Sequence, residues 1–270
     1  MPVAIIESLD HEGRGIARLQ GKTIFVEGAL AQETVEFSSY RRKSNYELAT
    51  LNHILKESTF RTTPQCAYFG ICGGCSMQHL EAAAQVAVKQ RVLEDALWHI
   101  GRIRAEIIYP AIHGPAWGYR YRARLSVRLV NKKGGVLVGF HEKRSSFVTD
   151  MRSCEILPVK VSALIPLLRA LIVQLSVADK LPQIELAIGN EKTGGAVTVL
   201  VLRILKPLTA EDEALLRSFA DAQEIQLYLQ AEGPPDSAYL FHPHNAPELA
   251  YSLPEFDIKL HFQPADFTQV

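Results

Sequence analysis

Cys66-Ala67-Tyr68-Phe69-Gly70-Ile71-Cys72-Gly73-Gly74-Cys75 places three cysteines close together, in the pattern C-x5-C-x2-C. The chain has one further cysteine, Cys154. Cys72 and Cys75 share a C-x-x-C turn. The glycines between them allow a backbone tight enough to aim both sulfurs at one point. Four thiolates are a full ligand set for a structural zinc or an iron–sulfur cluster. Clustered cysteines make poor core filler. Disulfides would suit an oxidising compartment, but Met1–Asp10 has neither the basic nor the apolar region of a secretory signal. A metal centre is therefore the expectation. His79 is a rival fourth ligand to Cys154, and spacing alone leaves zinc and iron–sulfur even.

At 270 residues the chain is long enough for about two domains. Its hydrophobic content of 47% is ample for packed cores. No apolar run approaches the roughly 18 residues of a membrane span. Net charge is zero, but its distribution is uneven. Residues 101–150 carry ten Lys/Arg against three acids, whereas residues 205–270 carry three against eleven. Such asymmetry suits one face for a polyanion and another kept away from it.

Upstream of the cysteines, residues 1–56 read as short strands separated by glycine turns, the pattern of a small β-barrel. Arg41, Arg42 and Lys43 fall at a hairpin tip. A solvated loop is the commoner meaning of such a run, though a basic tip also suits an RNA backbone. Leu80 to Ile100 reads as one helix from its apolar spacing. In Tyr119–Arg128, the residues Arg120, Arg122, Arg124 and Arg128 share one parity, so a strand here carries four guanidiniums on one face and Tyr119, Tyr121, Leu125 and Val127 on the other. Charge pairing with acids elsewhere is the plain explanation. A phosphate backbone or an unstacked base is the partner that better explains four arginines together. The remainder alternates helix and strand: helices over Val159–Leu175 and Ala210–Phe219, the latter capped by Thr209, and strands over Gln183–Ile188, Ala196–Arg203, Ile225–Leu229 and Phe256–Phe262. No strand–GxGxxG–helix unit is present.

In combination these motifs resemble the N-terminal portion of the bacterial 23S ribosomal RNA (uracil-5-)-methyltransferases of the RumA/RlmD type. His11-Glu12-Gly13-Arg14-Gly15-Ile16-Ala17 with Gly21–Val26 is similar to the family's TRAM domain. Pro64-Gln65-Cys66 and Cys72–His79 are similar to its cluster loop. Trp117–Arg124, Cys154-x-Ile156-Leu157 and Asp266–Val270 follow in the family's order. The resemblance covers essentially the whole chain.

The resemblance implies an α+β protein. A TRAM (OB-like) β-barrel over residues 1–56 leads into a central α/β domain over 57–80 and 110–262. The helix region 81–109 would pack with a Rossmann-like methyltransferase domain, which would begin at 263–270 and is otherwise missing from this chain. It implies a [4Fe-4S] cluster on Cys66, Cys72, Cys75 and Cys154, target-uridine contacts from Arg124 and Phe267, and S-adenosyl-L-methionine contact from Gln269. The nucleophile and base would lie beyond Val270, so the chain alone is expected to bind 23S ribosomal RNA without transferring methyl groups. Possession of both the barrel and the cluster loop favours the ribosomal over the tRNA branch. A cytoplasmic monomer is expected. The alternative is a stand-alone RNA-binding module with a structural metal site; a zinc-ribbon adaptor is weaker, since it leaves the arginine face unexplained.

Overall fold

The computed structural model describes residues 1–190, 195–231, 233, 237–244 and 248–266. The chain divides into two compact units, Met1–Gly114 and Pro115–Val270.

The first unit is built on six strands: β1 (Val3–Ile5), β2 (Ser8–Leu9), β3 (Gly15–Leu19), β4 (Lys22–Glu27), β5 (Thr34–Arg42) and β6 (Tyr46–Lys56). They form one sheet in the order β1-β5-β6-β4-β3-β2. Alternation along the strands turns Ala17, Ile24, Val26, Val35, Phe37 and Ala49 to one side, where they pack with Ala4 and Ile6. The expected barrel is not closed by this ladder. The sheet is an open path whose end strands, β1 and β2, are not paired to each other. The reason is local. Between them the chain leaves the ladder, and Ile6 exchanges backbone hydrogen bonds with Gln32 and Glu33 instead. β1 then pairs with β5 and β2 with β3.

The cysteine loop and the helix α1 (Ala82–His99) complete this unit. The compact division thus groups residues 57–80 with the N-terminal sheet, where the sequence reading grouped them with residues 110–262. The helix begins at Ala82 and ends at His99, and residues 100–114 continue without helix or strand.

The second unit contains β7 (Arg122–Val130), β8 (Gly135–Gly139), α2 (Val159–Ile172), β9 (Gln183–Asn190), β10 (Ala196–Arg203), α3 (Ala210–Gln223), β11 (Gln226–Gln230), β12 (Tyr239–His242), β13 (Leu249–Leu253) and β14 (Ile258–Phe262). The sheet runs β12-β11-β10-β9-β13-β14, and β7 pairs with both β9 and β8. β10 is buried along Val197–Leu202, in keeping with a segment that is apolar on both faces except at Thr198. One face of it joins Ala187 and Leu249 in a cluster flanked by Tyr228 and Phe262. The arginine strand starts three residues later than expected, because the N–H groups of Gly118 and Arg120 donate to the carbonyls of Glu155 and Ile156.

Thr209 caps α3 through a reciprocal box with Asp212. Asp212 also reaches out of the helix. Its buried carboxylate accepts the Ser176 N–H at 2.8 Å and the Ser176 hydroxyl at 2.6 Å, tying α3 to the turn after α2. Burial pushes the Asp212 carboxyl up, but the Ser176 hydroxyl and the Thr209 and Ser176 N–H groups outweigh it and hold the pKa at about 2, against an ordinary 3.8. A carboxyl depressed on folding stabilises above its unfolded pKa and loses that contribution as pH falls through the folded one. Asp212→Asn is therefore expected to lower unfolding stability at neutral pH by about 1–3 kcal/mol. The difference from the wild type should shrink as pH falls from 3.8 towards 2. Urea titrations at pH 7 and pH 3 measure both; equal midpoints at pH 7 would remove Asp212 as a tie.

Candidate nucleic-acid interface and cysteine loop

The cysteine loop is closed at its base by a short antiparallel contact. Arg61 bridges to Leu80, the Thr62 N–H donates to the His79 carbonyl at 2.9 Å, and the Glu81 N–H donates to the Phe60 carbonyl at 2.9 Å. Arg61 is fastened to the sheet by a buried ion pair. Its Nε donates to Glu33 Oε1 at 2.6 Å, and its Nη2 donates to Glu33 Oε2 at 2.8 Å and to the Gly28 carbonyl at 2.7 Å. The Leu30 and Ser58 N–H groups complete the shell around Glu33. Burial raises the Glu33 pKa, but the Arg61 hydrogen bond, the Leu30 N–H and the Arg61 charge hold it below its ordinary value. A second anchor is steric. Gly13 has φ +79°, and a Cβ there would lie 2.7 Å from Met77 Cγ, so the turn glycine makes room for the loop.

Within the loop the chain turns tightly. The Ile71 and Cys72 N–H groups both donate to the Tyr68 carbonyl, and Gly70 adopts φ +91°. The Gly74 N–H points at Cys72 Sγ, 3.3 Å away. The four cysteines form no disulfide. Reduced sulfurs and an N–H aimed at sulfur suit a thiolate ligand. The expected metal site is nonetheless not assembled: among the described residues no three His, Cys, Asp or Glu side chains converge to hold a metal. Cys66, Cys72 and Cys75 lie in the first unit and Cys154 in the second, so the local turn geometry governs only three of the four. Cys154 is buried, its N–H donating to Ser162 Oγ at 2.8 Å. It lies one residue before the Glu155–Ile156 backbone that pairs with Gly118 and Arg120. His79 is buried against Phe69, with ring centroids 5.3 Å apart.

On β7 the parity read from sequence is present. Ala123, Leu125 and Val127 are buried, while Arg124 and Arg128 are exposed and Arg120 and Arg122 half-buried. The register sets Arg122 opposite Ala187, Arg124 opposite Glu185 and Ser126 opposite Gln183 on β9. The four arginines are not equivalent. Arg122 Nη2 donates to the Asp266 carbonyl, and its guanidinium lies 5.7 Å from the Phe262 ring. Burial draws the Arg122 pKa down, and the Glu185 and Asp266 charges oppose that shift. Arg124 contacts Glu185 Oε1 through Nη2 at 2.9 Å and Nε at 3.1 Å. Arg120 Nε donates to the Arg122 carbonyl, and its charge lies 5.8 Å from the Phe140 ring. The same sheet face carries the apolar cluster with Tyr228 and Phe262. Exposed guanidiniums are the groups that meet phosphates and unstacked bases.

The other expected sites are scattered. Arg41, Arg42 and Lys43 are exposed at the β5–β6 turn, with Arg42 Nε 3.6 Å from Glu47. Phe267 and Gln269 lie outside the described residues. Helix α1 buries no residue, and Leu93 and Trp98 on it are exposed. Sequence reasoning missed Glu33, Arg61 and Glu185. Each is an ordinary charged residue whose partner is remote in sequence. Among the described residues no helix is long and apolar enough to cross a membrane.

Comparison with known proteins first gives the class of fold. Residues 4–37 match the TRAM domain family model. The whole fold is shared with Pyrococcus abyssi tRNA (uracil-54, C5)-methyltransferase, solved in complex with S-adenosyl-L-homocysteine. That likeness has a TM-score of 0.66 at 17% identity and covers 99% of this chain and 61% of that one. Sequence similarity is more specific. The chain is 60% identical over its full length to the 23S rRNA (uracil(1939)-C(5))-methyltransferase of Aromatoleum aromaticum, and 59% identical over 98% of its length to that of Nitrosospira multiformis. It spans about three-fifths of the length of these relatives.

Glu33→Gln tests the anchor of the loop. It leaves the Arg61 charge buried without a counter-charge, so a loss of about 3–5 kcal/mol is expected at neutral pH. In the wild type, the Glu33 contribution is present above the ordinary carboxyl value of 4.5 and is lost as pH falls below it, because the folded value is depressed. The cysteine-loop thiols should react faster with a disulfide reagent in the variant. An unchanged denaturation midpoint and thiol rate would show that the loop is held by other contacts.

Proposed function

We propose that this chain is the RNA-binding portion of an S-adenosylmethionine-dependent enzyme that methylates uracil C5 in 23S ribosomal RNA. The observation that carries the reading is the full-length match to proteins bearing that activity in their names, at about 60% identity. The exposed guanidiniums of Arg124 and Arg128 support it, because cations of this kind suit an RNA backbone. In this reading Arg124 and Arg128 meet the RNA directly. Arg122 is a positioning residue that holds the Gln263–Asp266 turn through the Asp266 carbonyl. Arg41, Arg42 and Lys43 add backbone attraction at the tip of the first sheet. When bound, S-adenosylmethionine supplies the methyl group, with Gln269 among its contacts. No residue of the chain is assigned as nucleophile or base. The protein works as a cytoplasmic monomer.

The four cysteines are part of the same proposal. They hold a [4Fe-4S] cluster with a structural role, supported by their spacing and the N–H aimed at Cys72 Sγ. Anaerobically purified protein should contain about four irons and as many sulfides per chain. One zinc, or no metal, would remove the cluster from the proposal and leave the RNA reading standing.

Binding of the 270-residue chain to a 23S RNA fragment, with tRNA as competitor, tests the substrate. Preference for the ribosomal fragment is expected. Arg124→Ala with Arg128→Ala should flatten the dependence of log affinity on log salt by about 1.4, since each phosphate contact on a single strand contributes about 0.7. Equal affinity for tRNA, or an unchanged salt slope, would overturn the substrate or the assigned face respectively.

A further inference from the structure

Glu185 stands where an acid is least expected. It lies within the most basic surface of the chain, directly across the β7–β9 ladder from Arg124. Two nitrogens of Arg124 converge on one of its oxygens, Oε1, at 2.9 and 3.1 Å. The same oxygen accepts Gln183 Nε2 at 2.7 Å, so the carboxylate is held in place from its own strand. The exposures of the partners differ. The Glu185 side chain is 24% exposed, sunk in the sheet, whereas that of Arg124 is 67% exposed. The arginine therefore lies over a fixed carboxylate, with its outer side open to solvent.

A planar guanidinium recognises carboxylate and phosphate oxygens with the same donors. An exposed pair of this kind contributes little to stability, so another acceptor can replace the carboxylate at little cost. We propose that Glu185 is an internal competitor for RNA. Its carboxylate occupies the Arg124 donors in the free protein, and an acceptor oxygen of the bound RNA, phosphate or uracil carbonyl, takes them over on binding. The pair thereby lowers affinity for RNA that cannot reach Arg124 correctly, and restrains the guanidinium until it is exchanged. This inference rests on the RNA-binding reading above.

The test is a double-mutant cycle on the full 270-residue chain, using fluorescent 12-nucleotide oligouridine and oligoadenine. Glu185→Gln keeps the shape and the neighbouring Gln183 while removing the charge. It should tighten oligouridine binding about two- to five-fold, the range expected for release of an exposed pair. The gain should vanish in an Arg124→Gln background. An equal gain on both oligonucleotides identifies a phosphate as the incoming acceptor; a gain confined to oligouridine identifies the base carbonyl. Unchanged or weaker binding by Glu185→Gln would overturn the competitor role, the weaker case making Glu185 a support that orients Arg124. A gain that persists without Arg124 would overturn it too, as a general effect of net charge. If the wild-type chain binds neither oligonucleotide nor the 23S fragment, the RNA-binding reading fails first, and that result differs from each of the others. As a readout independent of RNA, phenylglyoxal should modify Arg124 faster in Glu185→Gln than in the wild type, and an equal rate would show that the pair does not restrain it.

Discussion

One fully buried carboxylate organises the first unit. Glu33 accepts hydrogen bonds from Arg61 and from the Leu30 and Ser58 backbone, and so joins the sheet, the linker and the base of the cysteine loop. A buried ion pair is rarely the most stable filling for such a site, because desolvation offsets most of its attraction, and apolar residues of similar volume often do as well. What the pair provides is geometry. An apolar contact could slide, whereas two-point pairing of a guanidinium with a carboxylate fixes the angle at which residues 57–61 leave the sheet. The loop therefore starts from a defined direction, and Gly13 under Met77 sets its depth.

The second unit solves a different problem. Its sheet buries one face, and the other is divided between exposed charge and a covered apolar cluster. β9 is the hinge of that division. On it, Glu185 faces Arg124 and Gln183 faces Ser126, while Ala187, opposite Arg122, belongs to the apolar cluster with Val199 and Phe262. The acidic excess of residues 205–270 lies partly on α3, whose first turn bears Glu211, Asp212 and Glu213 and gains from the helix dipole. Asp212 shows that part of this acidity is structural, because it is buried and fully hydrogen-bonded rather than repelling a ligand.

The strand alternation of β7, the capping box at Thr209 and the tight C-x-x-C turn were legible in the sequence. Each depends on neighbours within four residues or on a period of two, so local sterics and backbone hydrogen bonding decide them. The similarity to uracil methyltransferases was legible for the same reason: its motifs are contiguous. Pairings between remote residues were not legible. Glu33 and Arg61 are 28 residues apart and Arg124 and Glu185 are 61 apart. Their pairing depends on sheet register, which is set by the summed packing of whole strands. The closed barrel was misjudged on similar grounds, since strand count and spacing do not reveal that Ile6 leaves the ladder for the 32–33 backbone. The sequence alone determined which chemical groups this protein carries and which strand face they occupy. Only the tertiary structure decided which of those charges already hold a partner, because that depends on register, and no local pattern encodes register.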